Sequence, residues 1–575
     1  MGSPRREFLS SLAALLGAAA LDLGCDHSAS PAPRASRRAP PAPGRGGAEL
    51  LVVGGAIVTM DPATPRVEAL ACSGGQIIAV GRRADLEGLR GPATRVLDLE
   101  GGVATPGLTD AHAHLAGLGR HLEDVDLTGA RSQAELIARV QAHAARHPGD
   151  GWITGRGWDQ NLWPGGEMPT HHALSDALPG RAVWLRRVDG HAGLASRRAL
   201  ELAGVTRDTP DPPGGELLRD AAGEPTGVLV DAAMALVPTP APTSAAIERW
   251  LLAGQARALS LGITGVHDMG VSREADQVYA ALAGDGRLAL RVHGYADDDW
   301  FFSDLVKETP KAIAAGDRYA LVGVKLYVDG ALGSRGAALL ADYSDRPGHR
   351  GLLQREPAAL AEQVARAVGR RWQVASHAIG DRGCRVLLDA YEAALKDLQG
   401  ESPRLRVEHA QVLALADIPR LARLGVVASV QPTHATSDMP WAQARVGPER
   451  IAGAYAWRRL LAAGATLALG SDFPVERPDI THGLYAAITR QDPEGNPPGG
   501  WRPEERLTLD EAVAGFTAGA AYAAGREAHL GALTRGRQAD LTCFVRDPWT
   551  LEPAALREAE IAATIVGGDV VWQRG

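Results

Sequence analysis

Eight apolar, strand-like runs, most followed by a stretch suited to a helix, constrain this chain more than any other feature of it. In order they read VATPGLTDAHAH, GITGVHDMG, LALRVHGYA, LVGVKLYVDG, QVASHAIGD, LRVEHAQ, VVASVQPTH and TLALGSDFPV, and EPAALAEQVARAVGRR joins the fourth to the fifth as a helix-compatible connection. Strands that alternate with helices form a parallel sheet. Eight such units close on themselves as a (β/α)8 barrel of the α/β class. In that architecture the side chains that do chemistry project from the C-terminal ends of the strands. His112, His114, Lys325, His377, His409 and Asp472 fall at or near those ends.

The text on either side of the barrel has a different texture. From Glu49 it runs ELLVVGGAIVTM, VEALACSGGQIIAVG and ATRVLDLEGGVATPG, and it closes on LGALTRGRQADLTCFVRD and IAATIVGGDVVWQRG. Short β-rich runs broken by glycine pairs predict strands, so residues 48–104 and 525–575 are expected to combine into one small β-sandwich, with the barrel spanning 105–524. Between His114 and Gly262 lie about 150 residues, too many for a barrel loop. Residues 125–240 are therefore expected to form an insertion after the first barrel strand, lying over the barrel mouth. Its tryptophans Trp152, Trp158 and Trp163 suit core packing better than an aromatic substrate wall, and His171-His172 reads as a surface loop.

The first residues read as an address. Arg5-Arg6, then Phe8-Leu9 and the apolar run Leu12–Leu21, make the pattern of a twin-arginine export signal over residues 1–25. The run is shorter than the roughly 20 residues that span a bilayer. Leu23-Gly24-Cys25 resembles a lipobox with a charge, Asp22, where a small residue is usual. Either Cys25 is lipidated or cleavage nearby releases a soluble exported protein, so any membrane contact would come through this anchor, and the expected location is periplasmic or extracytoplasmic. Residues 26–47, rich in Pro, Ala and Arg, cannot bury enough to order themselves and read as a linker.

With a net charge of −8 over 575 residues, the chain lacks the basic excess of a nucleic-acid binder. Its four cysteines are scattered and form no CxxC pair, which argues against a thiolate metal site or a disulfide framework. A small-molecule substrate is the expected partner. An oligomer is compatible with the sequence.

The chemistry sits in a spaced set of imidazoles and acids. In Asp110-Ala111-His112-Ala113-His114 the two histidines lie two apart, so on a strand both point to the same side and can grip one metal. Lys325 stands in the apolar strand VGVKLYVDG, where a buried lysine needs a partner. It either pairs with Asp329 or another acid, or ligates metal after CO2 carboxylates its amine. His377 and His409 end successive strands, and imidazole is a common zinc ligand. Asp472 follows a buried run and either completes the set or caps the next helix. His267 and Asp329 are weaker candidates.

The ordered motifs PGLTDAHAHL, GRGWDQNLW, RRVDGHA, GGELLRDAAGEPTGVLVD, GITGVHDMG, VKLYVDGALGSRGAAL, HAIGDR, RVEHAQ, GSDFPV and GRQADLTCF cover nearly the whole body. Through them the chain resembles the amidohydrolase superfamily, in particular amidohydrolase family 3, the YtcJ-like branch that includes N-substituted formamide deformylases. The resemblance implies a metal-dependent hydrolase barrel with a β-sandwich and one or two divalent ions, zinc foremost. It implies that His112 and His114 hold the more buried ion, that an N6-carboxylated Lys325 bridges, and that His377 and His409 hold the second. Asp472 would touch the first ion and act as catalytic acid/base, and His191 in VDGHAG would contact substrate. The implied reaction is hydrolysis of a non-peptide C–N bond, an amide or an N-acyl or N-formyl amine, by a metal-activated hydroxide. An esterase, lactonase or cyclic-amide hydrolase on the same site is the neighbouring alternative, and a tethered binding lipoprotein that has lost catalysis is the non-enzymatic one.

Overall fold

The computed structural model describes residues 47–396 and 398–575. The expected export signal, Cys25 and all of the linker except Gly47 lie outside the described residues. No helix among the described residues is long and apolar enough to cross a membrane.

All eight expected runs are strands of one parallel sheet: β1 (Leu108–Ala113), β2 (Ile263–Val271), β3 (Arg291–Ala296), β4 (Tyr319–Tyr327), β5 (Gln373–Ala378), β6 (Arg406–His409), β7 (Val427–Val430) and β8 (Leu467–Leu469), hydrogen-bonded in that order. Helices cover the outer face and side chains fill the inside. The strands are thus buried on both faces, which is why they read as near-continuous apolar runs. The connection between β4 and β5 contains the expected helix, Pro357–Gly369. It starts with Pro357 in its first turn and buries Leu360, Val364, Ala367 and Val368, the one-face spacing of an amphipathic helix. Past the end of β8 the chain turns back onto β1. The Asp472 N–H donates to the His112 carbonyl at 2.7 Å, and the His114 N–H donates to the Phe473 carbonyl at 3.0 Å. The barrel is closed by bonds made at the very residues expected to carry the chemistry.

The two chain ends do form one sandwich. Ala48–Val53, Ala69–Ser73, Gln76–Gly81 and Arg90–Asp98 make a four-stranded sheet. The facing six-stranded sheet pairs Val103–Pro106 antiparallel with Leu541–Phe544, so that N-terminal and C-terminal text share one ladder. Leu50, Val52, Leu97, Ala104, Leu541 and Ile565 pack between the sheets, together with Cys72 and Cys543. Cys72, Cys384 and Cys543 are all buried free thiols. Thr542 joins the sandwich to the barrel: its hydroxyl donates to the Gly262 carbonyl and accepts the Leu108 N–H.

Between β1 and β2 the chain builds a separate six-stranded sheet, from Val125–Asp126 to Pro225–Asp231, with its own apolar core. Trp158 and Trp163 belong to that core, and their indole N–H groups are spent on the Leu185 and Ala130 carbonyls. Trp152 packs partly buried on the other face of the sheet. One expectation fails here. His171-His172 is not a surface loop but opens the helix His171–Ala177. The His171 ring is buried in the slot left by Gly227, where an added Cβ would come 2.8 Å from the His171 Cβ, and a ring nitrogen meets Ser175 Oγ at 3.2 Å.

Because Leu541 links the two ends at full burial, Leu541→Ala should cost about 2–5 kcal/mol. It should lower the apparent Tm by several degrees, whereas the exposed Leu415→Ala should leave it nearly unchanged. Thermal melts of both variants check this.

Candidate metal centre

A fully buried ion pair anchors the site from below. Arg406 and Glu408 lie two apart on β6 and so point to the same side of the strand. Arg406 Nε donates to Glu408 Oε1 at 2.7 Å and Nη2 to Oε2 at 3.1 Å. The rest of the guanidinium is spent on the Ala111 carbonyl, Ser429 Oγ, Tyr295 Oη and His267 Nδ1. Burial alone would raise the Glu408 carboxyl, but Arg406 and then His112 outweigh it and hold the group at about 2. Glu408 Oε2 accepts from His112 Nδ1 at 2.6 Å. Burial, followed by the nearby Lys325, pushes the His112 imidazolium down to about 4. A neutral ring that donates from Nδ1 presents a lone pair at Nε2, the form that ligates metal.

The second anchor is Asp110 on β1. Its carboxylate accepts the Ser471 N–H at 3.0 Å and the Ser471 hydroxyl at 2.6 Å, and so fixes the turn after β8. That turn carries Asp472 at φ +62°, while His409 and Ala410 stand at +74° and +42° after β6. Non-glycine residues there cost of order 1–3 kcal/mol each and persist where the surroundings over-determine them. The outcome is a tight cluster: ligand atoms of His112, His409 and Asp472 all lie within 4.8 Å of one another. His114 joins them. Its Nδ1 meets the Met269 carbonyl at 2.9 Å, which can only accept, so Nδ1 carries a hydrogen and Nε2 is the atom turned to the cluster. That Nε2 stands 3.1 Å from Asp472 Oδ1, and His112 Nε2 stands 3.6 Å from the same oxygen. Asp472 Oδ1 is buried and has no hydrogen-bond partner among the described residues. Imidazole nitrogens gathered around a carboxylate oxygen form a donor set that suits a divalent cation of the zinc type. Burial opposes ionisation of Asp472, but the imidazoles of His112, His114 and His409 hold its carboxyl well below the usual range.

The remaining expected residues are placed around this cluster. Lys325 is buried, with Nζ 3.2 Å from His112 Nε2, and burial pushes its ammonium down to about 8. It is not paired with Asp329. That carboxylate accepts the backbone N–H groups of Ala338, Ile379 and Gly380 and serves the backbone instead. The His377 ring lies 4.6 Å from that of His409 and 4.8 Å from that of His191, and its Nε2 meets the Gly330 carbonyl at 3.3 Å. His191 is held by Asp231 at 2.6 Å. His267 sits beneath the site as an acceptor for Arg406.

Several contributors were not read from the sequence. Glu408 and Arg406 orient His112. Gln431 Oε1 meets His409 Nδ1 at 2.9 Å, and His434 Nε2 lies 3.8 Å from Asp472 Oδ2 with its ring stacked on His409. The signal for the first two was present: opposite charges two apart in the otherwise apolar LRVEHAQ.

With this geometry in view, the similarities of the chain are informative. A model of the amidohydrolase family matches residues 95–572. The protein LONG AFTER FAR-RED 3 of Arabidopsis thaliana is 35% identical over 91% of this chain and 92% of its own length. YtcJ of Bacillus subtilis is 32% identical over 91% and 99%. The N-substituted formamide deformylase of Arthrobacter pascens is 28% identical over 92% and 98%. Among solved structures, an uncharacterised metal-dependent hydrolase from Pyrococcus horikoshii superposes with a TM-score of 0.71 at 29% identity, covering 88% of this chain and 99% of that one.

If Glu408 fixes the His112 tautomer, Glu408→Gln should weaken metal affinity by about 10–100-fold. It should also destabilise the fold by about 3–5 kcal/mol, because Arg406 is left buried without its counter-charge. Metal titration and denaturant melts of the variant measure the two effects separately.

Proposed function

The chain belongs to the amidohydrolase family, and from that premise we propose that it hydrolyses a non-peptide C–N bond, an amide of the N-acyl or N-formyl amine type. One or two divalent ions, zinc foremost, would serve as cofactor. The observation that carries this reading is the cluster of His112, His409 and Asp472, whose ligand atoms lie within 4.8 Å of one another, with His114 Nε2 3.1 Å from Asp472 Oδ1. In this reading His112, His114 and Asp472 hold one ion, His377 and His409 hold a second, and Lys325 stands between the two sets as an N6-carboxylated bridge. Lys325 is buried beside the histidines and has no carboxylate partner within salt-bridge distance among the described residues, which favours a covalent acid on its own nitrogen. Kinship to a formamide deformylase and to a metal-dependent hydrolase of known fold supports the same assignment.

A bound ion of this type acidifies water and polarises a carbonyl. The protein supplies the rest. Asp472 is pinned by the Asp110–Ser471 clamp with one oxygen free, and there it takes a proton from the attacking water and returns it to the leaving nitrogen, as general base and then general acid. An amine anion leaves badly, so an amide requires the second transfer. His191, its Nδ1 occupied by Asp231, presents its other nitrogen to the mouth as a hydrogen-bonding group for substrate.

Asp472→Asn should keep most of the bound metal and lose on the order of 10²–10⁴-fold in kcat on N-formyl and N-acyl amines. Activity within tenfold of the parent would remove Asp472 from proton transfer.

A further inference from the structure

Two arginines of the inserted sheet stand side by side, and among the described residues neither is ion-paired with an acid. Ile153–Trp158 and Val183–Arg187 run parallel, and their register sets Arg156 directly against Arg186. Like charges facing each other across a ladder are destabilising, so the pairing calls for an explanation. The next residue shows what the fold does when it needs an arginine for structure. Arg187 is buried and bonded to Asp159, Asp189 and Gln160. Arg186 is the exposed residue of its strand. Among the described residues neither Arg156 nor Arg186 has a carboxylate within salt-bridge distance. Asp126, which flanks Arg156 on the other side of the ladder, turns instead to His121 and to the Thr128 N–H.

Each guanidinium makes one bond to the same turn. Arg156 Nη2 donates to the Val188 carbonyl at 2.8 Å and Arg186 Nη2 to the Gly190 carbonyl at 3.2 Å. A Cβ on Gly190 would come within 3.3 Å of both Nη atoms of Arg156 and 3.6 Å of Nη2 of Arg186, so the two cations share one face of that turn. A guanidinium has five donors, so most are unspent, and Arg156 Nε is buried with no partner. The turn leads into His191, whose ring lies 4.8 Å from that of His377. Tyr327 flanks the centre from the barrel side. Its ring lies 5.7 Å from that of His377 and 4.9 Å from Lys325 Nζ. Its phenol is pushed up to about 12, by burial first, with Asp472 adding to the shift and Arg186 opposing it.

We propose that Arg156 and Arg186 bind a carboxylate carried by the substrate, so that the preferred substrates are N-acyl amines bearing an acid, of which an N-acyl amino acid is the simplest. Planar, forked donors suit a carboxylate bidentately. The proposal rests on the amide-hydrolase reading for its reaction, and on the two arginines alone for its specificity.

The test compares N-formylphenylalanine with N-formylphenethylamine, which differ only by the carboxylate, on the metal-loaded enzyme and its R156M, R186M and R186K variants. The parent should prefer the acid in kcat/KM on the order of 100-fold, the worth of charged hydrogen bonds. That preference should collapse toward unity in the methionine variants and be partly kept in R186K, which retains the charge without the fork. A parent ratio near one would overturn the proposal. So would a loss in the variants that is equal for both compounds, since it would assign the arginines to holding the Val188–Gly190 turn. If neither compound is cleaved, the amide-hydrolase reading fails separately, and calorimetric binding of N-acetylphenylalanine decides the arginines. A Kd weakened at least tenfold in R186M supports the carboxylate site, and an unchanged Kd or no binding to the parent overturns it.

Discussion

Closing the barrel is the constraint on which the rest of the molecule depends. The last strand must return to the first. This chain makes the return with the Asp110 carboxylate on Ser471 and with the Asp472 N–H on the His112 carbonyl. Those bonds do two jobs. They seal the parallel sheet at its mouth, and they press the Asp472 side chain against His112 and His114 in a strained backbone conformation. Elsewhere a sandwich ties the chain ends together, and Thr542 clamps it to Leu108 of β1 and to Gly262 just before β2.

Below the mouth, the Arg406–Glu408 pair converts buried charge into geometry. A buried ion pair is weak evidence for stability, because desolvation offsets the attraction. Its value here lies in the fixed tautomer of His112, which leaves Nε2 as a lone pair facing Asp472 and Lys325. The site therefore gathers imidazoles, a carboxylate and a buried amine, a donor set that suits a divalent cation. The inserted sheet adds a second charged feature, Arg156 and Arg186 in register, neither with a carboxylate within salt-bridge distance among the described residues. In the proposed reading, reaction type and substrate choice are carried by different parts of the fold, the barrel and the insertion.

How much of this was legible follows from what a one-dimensional string encodes. The eight barrel strands were readable because burial on both faces leaves an apolar run, and because the candidate site residues interrupt these runs at or near their ends. His112, His114, Lys325, His377, His409 and Asp472 stood out for that reason, and the structure gathers them at one mouth. Gln431 and His434 did not, because their relation to His409 and Asp472 exists only across strands. The Arg156–Arg186 pairing is a matter of register, which GRGWDQ and LRRVDG state separately but not together. His171 was misread because its burial depends on Gly227, far along the chain, leaving it room.

The central claim is that the converging histidines, Asp472 and Lys325 hold divalent metal. Elemental analysis of the purified protein, set beside a Lys325→Ala variant, tests it most directly. The account predicts about two equivalents of divalent metal per chain, zinc foremost, falling in the variant as the bridge is lost. A protein that takes up no metal even after reconstitution with zinc would contradict it.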